Sequence, residues 1–229
     1  MKFGGWQRFS LIDFPEKVSA ILFTEGCSFR CPFCHNPQLV VPKQPSAALS
    51  EKEIFEFLTS RQGKLDGIVI SGGEPTIHHD LPKFLQKIRA MGFEIKIDTN
   101  GSHPEMMQQL IHQNLVDYWA MDIKSPLVTY QTITQSTISS TTIAQSIQLI
   151  MQGTIDYEFR STLLPAYHTD EDIEQMAKEI QGAKKYILQR FRPDVTLDPA
   201  LQEYPPFSEE EMNRLCEHAK KYVPNCFWR

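Results

Sequence analysis

No stretch of this 229-residue chain approaches the roughly 18 consecutive apolar residues that a membrane-spanning helix needs. Its opening, Met1 to Arg8, lacks the apolar segment of a signal peptide, so a cytoplasmic protein with no membrane partner is expected. An excess of positive charge is missing as well. Lys and Arg number 23 against 28 Asp and Glu, a formal net charge of -5, which disfavours nucleic acid as a partner. Glycine (11) and proline (15) are scattered, which excludes collagen-like and low-complexity organisation. Cysteine is scarce and odd in number, at five, yet three of the five fall within eight positions. In a reducing compartment such a cluster points to metal binding, not to disulfides.

What is present is an alternation. Apolar runs of strand length lie at 18–23, 67–71, 94–98, 118–122, 157–161 and 185–189. Helix-period stripes stand between them, and S-x-x-E capping boxes open two helices, at Ser50/Glu53 and Ser208/Glu211. Six strand–helix units predict an α/β fold with a parallel sheet, an incomplete (β/α)6 TIM-like barrel, two units short of a full one. The chain reads as a single domain over 1–229, with 1–16 as a lead-in and the six units in 17–229. The Ser/Thr-rich stretch 125–142 has few apolar anchors and is expected to be a mobile surface loop. Functional residues belong at the carboxyl ends of the strands. Polar residues do follow each strand there: Cys27, then Gly72-Gly73-Glu74-Pro75, Asp98-Thr99-Asn100-Gly101, Asp122-Ile123-Lys124, Arg160-Ser161, and Arg190 with Arg192.

Cys27, Cys31 and Cys34 have the spacing C-x3-C-x2-C. Three thiolates on one short loop suit Zn(II) or an iron–sulfur cluster. Three ligands leave one iron of a four-iron cluster without a protein ligand, an open position suited to chemistry. A structural zinc site with His35 as fourth ligand also fits the spacing. So does an accidental helical i, i+4, i+7 set, although Pro32 disfavours an ordinary helix there. Cys216 and Cys226 are spaced unlike the cluster and read as packing or surface residues.

Cys27, Cys31 and Cys34, with Phe33 in the aromatic position, resemble the C-x3-C-x-aromatic-C motif of the radical S-adenosylmethionine (SAM) enzymes. Gly72-Gly73-Glu74-Pro75 resembles the GGEP segment of that superfamily, after the second strand. The resemblance implies a [4Fe–4S] cluster on the three cysteines, with SAM on the fourth iron and its methionine amino group against the glycines. It implies reductive cleavage of SAM and abstraction of a substrate hydrogen.

The segments 4–15 and 23–37, the latter including Cys34-His35-Asn36-Pro37, look like those of activating enzymes for anaerobic ribonucleoside-triphosphate reductase. Asp98-Thr99-Asn100-Gly101 and Asp122-Ile123-Lys124 resemble segments of pyruvate formate-lyase activating enzymes. By that resemblance Asp98, Thr99 and Asp122 lie near SAM and a monovalent cation. Lys124 binds SAM or the partner peptide, and Arg160 faces the SAM ribose or carboxylate. The implied activity is formation of a glycyl radical on a partner enzyme, with flavodoxin or ferredoxin as reductant. With one cysteine cluster in 229 residues, auxiliary-cluster enzymes and those with a ferredoxin insert are disfavoured. Two other classes remain open: a small-molecule radical SAM enzyme acting on a deazaguanine or pterin-type precursor, and a zinc-stabilised binding module.

Overall fold

The computed structural model describes residues 1–41 and 49–229. One sheet runs in the order of the chain: β1 (Phe3–Ser10), β2 (Ser19–Thr24), β3 (Gly67–Gly72), β4 (Glu94–Thr99), β5 (Tyr118–Asp122), β6 (Asp156–Leu163), β7 (Tyr186–Arg190) and β8 (Cys226–Trp228). The six expected parallel strands are β2 to β7, with ends shifted by no more than a residue or two. Two strands are additional. β1 pairs antiparallel to β2 within the lead-in, and β8 pairs parallel to β7 through Tyr186↔Cys226 and Leu188↔Trp228. The order begins at β1 and ends at β8, which leaves an open barrel.

Strand residues alternate between two faces. Ile68 and Ile70 of β3, Ile95 and Ile97 of β4, and Trp119 and Met121 of β5 point outward and pack under the helices in the main core. The helices that cover them begin where the chemistry of the first turn allows. The capping boxes at Ser50/Glu53 and Ser208/Glu211 both form, and a third forms at Thr169/Asp172. The inner face differs. Near its amino end it carries a small apolar cluster of Phe14, Ile21 and Val69, and above that cluster it turns polar.

The stretch 125–142 is not the mobile loop that its composition suggested. Tyr130–Thr134 forms a short helix whose ends, Tyr130 and Thr134, are buried. Tyr130 packs edge-on against Phe29 at 6.0 Å, and the Thr134 carbonyl accepts the Arg30 amide at 2.8 Å. This segment clasps the cysteine loop, and two buried anchors suffice where the sequence shows a run of hydroxyls. Cys216 and Cys226 are both buried, with sulfurs 3.7 Å apart, between the last helix and β8.

Candidate functional site

The inward, period-two positions at the carboxyl ends of the strands converge on a cavity of about 260 Å³. One wall is the cysteine loop. Cys27, Cys31, Phe33, Cys34 and His35 all line the cavity, and Cys31 and Phe33 are buried. The loop is held from several sides. The Cys34 amide donates to the Cys31 carbonyl at 3.0 Å, and the Pro32 carbonyl accepts the Asp198 amide at 2.9 Å. Phe33 lies against Tyr167 and His168, with ring centroids 5.9 and 6.1 Å away. Burial, and then the charge of Glu74, push the Cys27 thiol up to about 11, and burial pushes Cys31 up to about 12. A bound cation would share the charge of the Cys27 and Cys31 thiolates and offset the cost of their burial.

The glycine segment joins the cysteine loop at the cavity wall. Gly72 and Gly73 line the cavity, but their missing side chains make room for the protein itself. Gly72 has φ +110°, and a Cβ there would lie 2.5 Å from the Thr24 amide nitrogen. At Gly73 a Cβ would lie 1.9 Å from the Gly26 carbonyl oxygen. The two backbones are laced by Gly73 N–H to Thr24 O at 2.9 Å and Glu74 N–H to Gly26 O at 2.8 Å. The glycines thus fix the entry to the cysteine loop.

Glu74 and Pro75 do not line the cavity; both are buried behind its wall. Pro75 opens a single 3-10 turn that Glu74 caps. The Glu74 carboxylate accepts the Thr76 amide at 3.0 Å, the Thr99 hydroxyl at 2.8 Å and the Asn100 amide at 2.6 Å. The Thr76 hydroxyl donates to it too. Burial raises its pKa, and these donors oppose the rise. Asn100 carries the connection onward, its side-chain amide 3.5 Å from the Cys27 sulfur. Glu74 is therefore a positioning residue that ties the loops after β3 and β4 to the first cysteine.

A chain of alternating charges crosses the inner face. The Lys96 ammonium lies 3.0 Å from Asp98, although off hydrogen-bond geometry, so Asp98 Oδ1 is buried without a hydrogen bond. Asp98 Oδ2 accepts the Ser71 hydroxyl at 3.0 Å and faces Arg160 Nη1 at 3.3 Å. Arg160 Nε donates to Asp122 at 2.9 Å, and Lys124 Nζ donates to the other Asp122 oxygen at 2.9 Å. Burial alone would raise the Asp122 carboxyl, but Arg160 and Lys124 outweigh it and bring it down to about 2. Asp98 is lowered in the same way, against burial, by Arg160 and Lys96. Asp98, Thr99, Asn100, Asp122, Lys124 and Arg160 all line the cavity.

The cavity also takes residues that sequence reasoning missed: Asp13, Thr162, Gln189 and Arg229 among them. Thr162 lies one residue past Ser161 and Gln189 one residue before Arg190, and the two pair in register across β6 and β7. Arg229 follows a three-residue strand too short to show periodicity. Arg190 does not reach the cavity; its Nε donates to the Phe207 carbonyl.

The donor set separates the two metal readings. His35 stacks on Phe191, with ring centroids 5.4 Å apart, and its Nε2 accepts the Arg192 amide at 3.4 Å, so it does not complete a Cys3His site. Among the described residues no group of three or more His, Cys, Asp or Glu side chains is placed to hold a metal ion. A cubane takes its three thiolates on three different irons, so its ligands stand round a shared wall and need not meet at one point. Three cysteine thiols on one cavity wall, with no fourth protein thiol beside them, fit that group.

The comparisons agree. A protein of Methanocaldococcus jannaschii with the provisional name glycyl-radical enzyme activating enzyme is 35% identical over 224 residues, 94% of this chain and 90% of that protein. The pyruvate formate-lyase-activating enzyme of Staphylococcus epidermidis is 33% identical over 86 residues, 35% of this chain and 34% of that enzyme. Of solved structures, QueE from Escherichia coli superposes with a TM-score of 0.59 at 16% identity, over 100% of this chain and 93% of QueE. Streptococcus suis SuiB, bound to its precursor peptide SuiA, gives 0.67 at 13% identity over 91% of this chain, which spans about half (48%) of SuiB. These two structures share the barrel fold. The model of the radical SAM superfamily matches residues 21–180, from within β2 to the end of the helix Asp170–Glu179. That interval contains every loop that builds the thiol wall, and the chain belongs to the radical SAM superfamily.

Proposed function

We propose that this chain is a single-domain activating enzyme that generates a glycyl radical on a partner protein, the anaerobic ribonucleoside-triphosphate reductase. The carrying observation is the open, thiol-walled cavity in a chain alike over nearly its whole length to a protein named as such an activator. Cys27, Cys31 and Cys34 hold the [4Fe–4S] cluster, with Phe33 and His35 packing the loop that carries them. The backbone of Gly72 and Gly73 borders the methionine end of SAM. Asp98, Thr99, Asn100, Asp122, Lys124 and Arg160 surround the rest. When bound, the reduced cluster and SAM together supply a carbon radical that removes a hydrogen atom from the substrate. The chain's own residues orient and enclose. Glu74 fixes the Asn100 loop against Cys27, and Arg160 holds Asp98 and Asp122 ionised and in place.

The monovalent cation implied by the family fits these residues poorly, because the Arg160 guanidinium already bridges Asp98 and Asp122. Flavodoxin or ferredoxin is the reductant in this reading, and the protein works in the cytoplasm, away from membrane and nucleic acid. The test is anaerobic. Protein reconstituted with iron and sulfide is reduced with dithionite in the presence of SAM, and 5′-deoxyadenosine is assayed by chromatography, with Cys31→Ala as control. Product in the wild type and none in the variant is expected. Incubation with the reductase should then give the doublet of a glycyl radical in electron paramagnetic resonance. Cleavage of SAM with no doublet, but with turnover of a deazaguanine or pterin precursor, would replace the partner protein by a small substrate.

A further inference from the structure

A monovalent cation held by Asp98, Thr99 and Asp122 would need side-chain oxygens that this chain has already committed. The two Asp122 oxygens accept from Arg160 Nε and Lys124 Nζ, each at 2.9 Å. The Thr99 hydroxyl donates to Glu74 at 2.8 Å and accepts the Gly101 amide at 3.1 Å. Asp98 Oδ2 accepts the Ser71 hydroxyl at 3.0 Å and faces Arg160 at 3.3 Å. Asp98 Oδ1 is different, because it makes no hydrogen bond and is met at 3.0 Å by the Lys96 ammonium. Lys96 stands two residues before Asp98 on the same face of β4, and it is 2% exposed. Its Nζ also donates to the Asp13 carbonyl at 2.5 Å and lies 5.9 Å from the centre of the Tyr118 ring. A carboxylate oxygen, a backbone carbonyl and an aromatic face are the surroundings that suit a potassium ion, and an ammonium is close to potassium in size and equal to it in charge. The charges leave no place for a further cation either. The three carboxylates of the lining, Asp13, Asp98 and Asp122, are matched in number by Lys96, Lys124 and Arg160, and the Asp13 carboxylate accepts the Ser10 hydroxyl.

We propose that Lys96 is the resident monovalent cation of this site, a positioning residue whose ammonium does for Asp98 what a bound alkali ion would do, so that SAM binding needs no potassium or sodium. A buried carboxylate has lost its hydration and stays ionised only beside a compensating charge. A soluble ion supplies that charge through a binding equilibrium that follows the salt concentration. An ammonium on the same strand supplies it at every salt composition, with its position fixed by the fold. Lys is suited to the task because its head is a compact point charge without the directional fork of Arg, and Arg160 already fills the forked role between Asp98 and Asp122. The proposal rests on the reading that Asp98 and Asp122 border SAM, and it is independent of which partner receives the radical.

The test compares the wild type with Lys96→Ala, which removes the ammonium and leaves room for an ion, and with Lys96→Met, which removes the charge and fills the room. Each is studied in potassium, sodium and choline chlorides at one ionic strength of about 0.15 M, so that screening is constant. The first readout is thermal unfolding of the metal-free protein, which needs neither cluster nor SAM. The wild-type Tm should agree within about 1 °C in the three salts, whereas Lys96→Ala should gain about 3 °C or more in potassium over choline, as a bound ion stabilises the folded state. Lys96→Met should gain less than about 1 °C. The second readout is SAM affinity of the cluster-reconstituted, unreduced enzyme, measured by calorimetry. It should be the same within about 1.5-fold in the three salts for the wild type, and about tenfold weaker in choline for Lys96→Ala, with potassium restoring it to within about threefold. A wild type that loses about fivefold or more in SAM affinity in choline overturns the proposal, and this arm decides even if Lys96→Ala does not fold. A Lys96→Ala protein whose Tm is indifferent to potassium also overturns it, by leaving Lys96 a structural role only. Equal rescue of Lys96→Met does so too, by placing the ion elsewhere. A Tm of Lys96→Ala that potassium repairs, with a SAM affinity indifferent to variant and salt, keeps the resident cation and removes the reading that Asp98 borders SAM.

Discussion

The two walls of the cavity are finished to different degrees. On the wall made by the cysteine loop and the ends of β3 to β5, polar groups are spent on one another. Glu74 alone takes donors from Thr76, Thr99 and Asn100, and Gly73 touches the backbone of Gly26 so closely that no side chain fits. Beyond Arg160, on the wall made by the ends of β6 to β8, the side chains of Thr162, Gln189 and Arg229 make no hydrogen bond or ion pair with any described residue. A wall that must hold a cofactor in one geometry is bought with internal bonds, and preorganisation of this kind is where binding and rate are gained. A wall that must receive a substrate keeps its hydrogen-bonding groups free until the substrate satisfies them.

The comparison breaks most violently at Gly73→Ala. The added methyl falls 1.9 Å from a backbone oxygen, so either the glycine segment or the start of the cysteine loop has to move. The expected result is a folded protein that takes up less than about half the iron and sulfide of the wild type under anaerobic reconstitution. Full incorporation would show that the close approach of these two backbones does not hold the loop. The next effect in size is Glu74→Gln. One carboxylate oxygen becomes an amide that donates, opposite groups that also donate, inside a site with 0% exposure. Leaving such groups unmatched costs about 2–3 kcal/mol. At this chain length that is a drop of roughly 5–10 °C in Tm. Thermal unfolding of the metal-free protein measures it without interference from the cluster.

The difference between the walls also sorts what was legible in the sequence. The strands were readable because β-branched and apolar residues recur at strand length, and the cysteine loop because its ligands are neighbours in sequence. Glu74 was found as part of a motif, but its role was not, since its partners Thr99 and Asn100 are 25 and 26 positions away and reach it only through the parallel register of β3 and β4. Arg160 was found at a strand end, and its bridging of Asp98 and Asp122 depends on the packing of three strands. β8 left no trace, because three residues carry no period, and with it Arg229 was invisible. The helix Tyr130–Thr134 was lost for the opposite reason: its hydroxyl-rich composition outweighed the two positions that are buried. Local chemistry is visible in a chain before folding, whereas a contact made by register is visible only after it.

The smallest effect is the sharpest test of the comparison. Thr162→Val replaces a hydroxyl by a methyl of nearly the same volume, and that hydroxyl has no partner among the described residues. No intramolecular bond is lost, and the β-branched side chain suits a strand as well as before. The expected change in stability is within about 0.5 kcal/mol, so the Tm of the metal-free protein should move by no more than about 2 °C. The same hydroxyl lines the cavity, so if this wall receives the substrate, the KM for it should rise about threefold while stability holds. A fall in Tm approaching that of Glu74→Gln would mean that the far wall is tied internally like the near one, and that its polar groups are structure and not reception. Stability untouched with a raised KM is the pattern that only a free wall produces, because the two measurements draw on the same atom in two different states of the molecule.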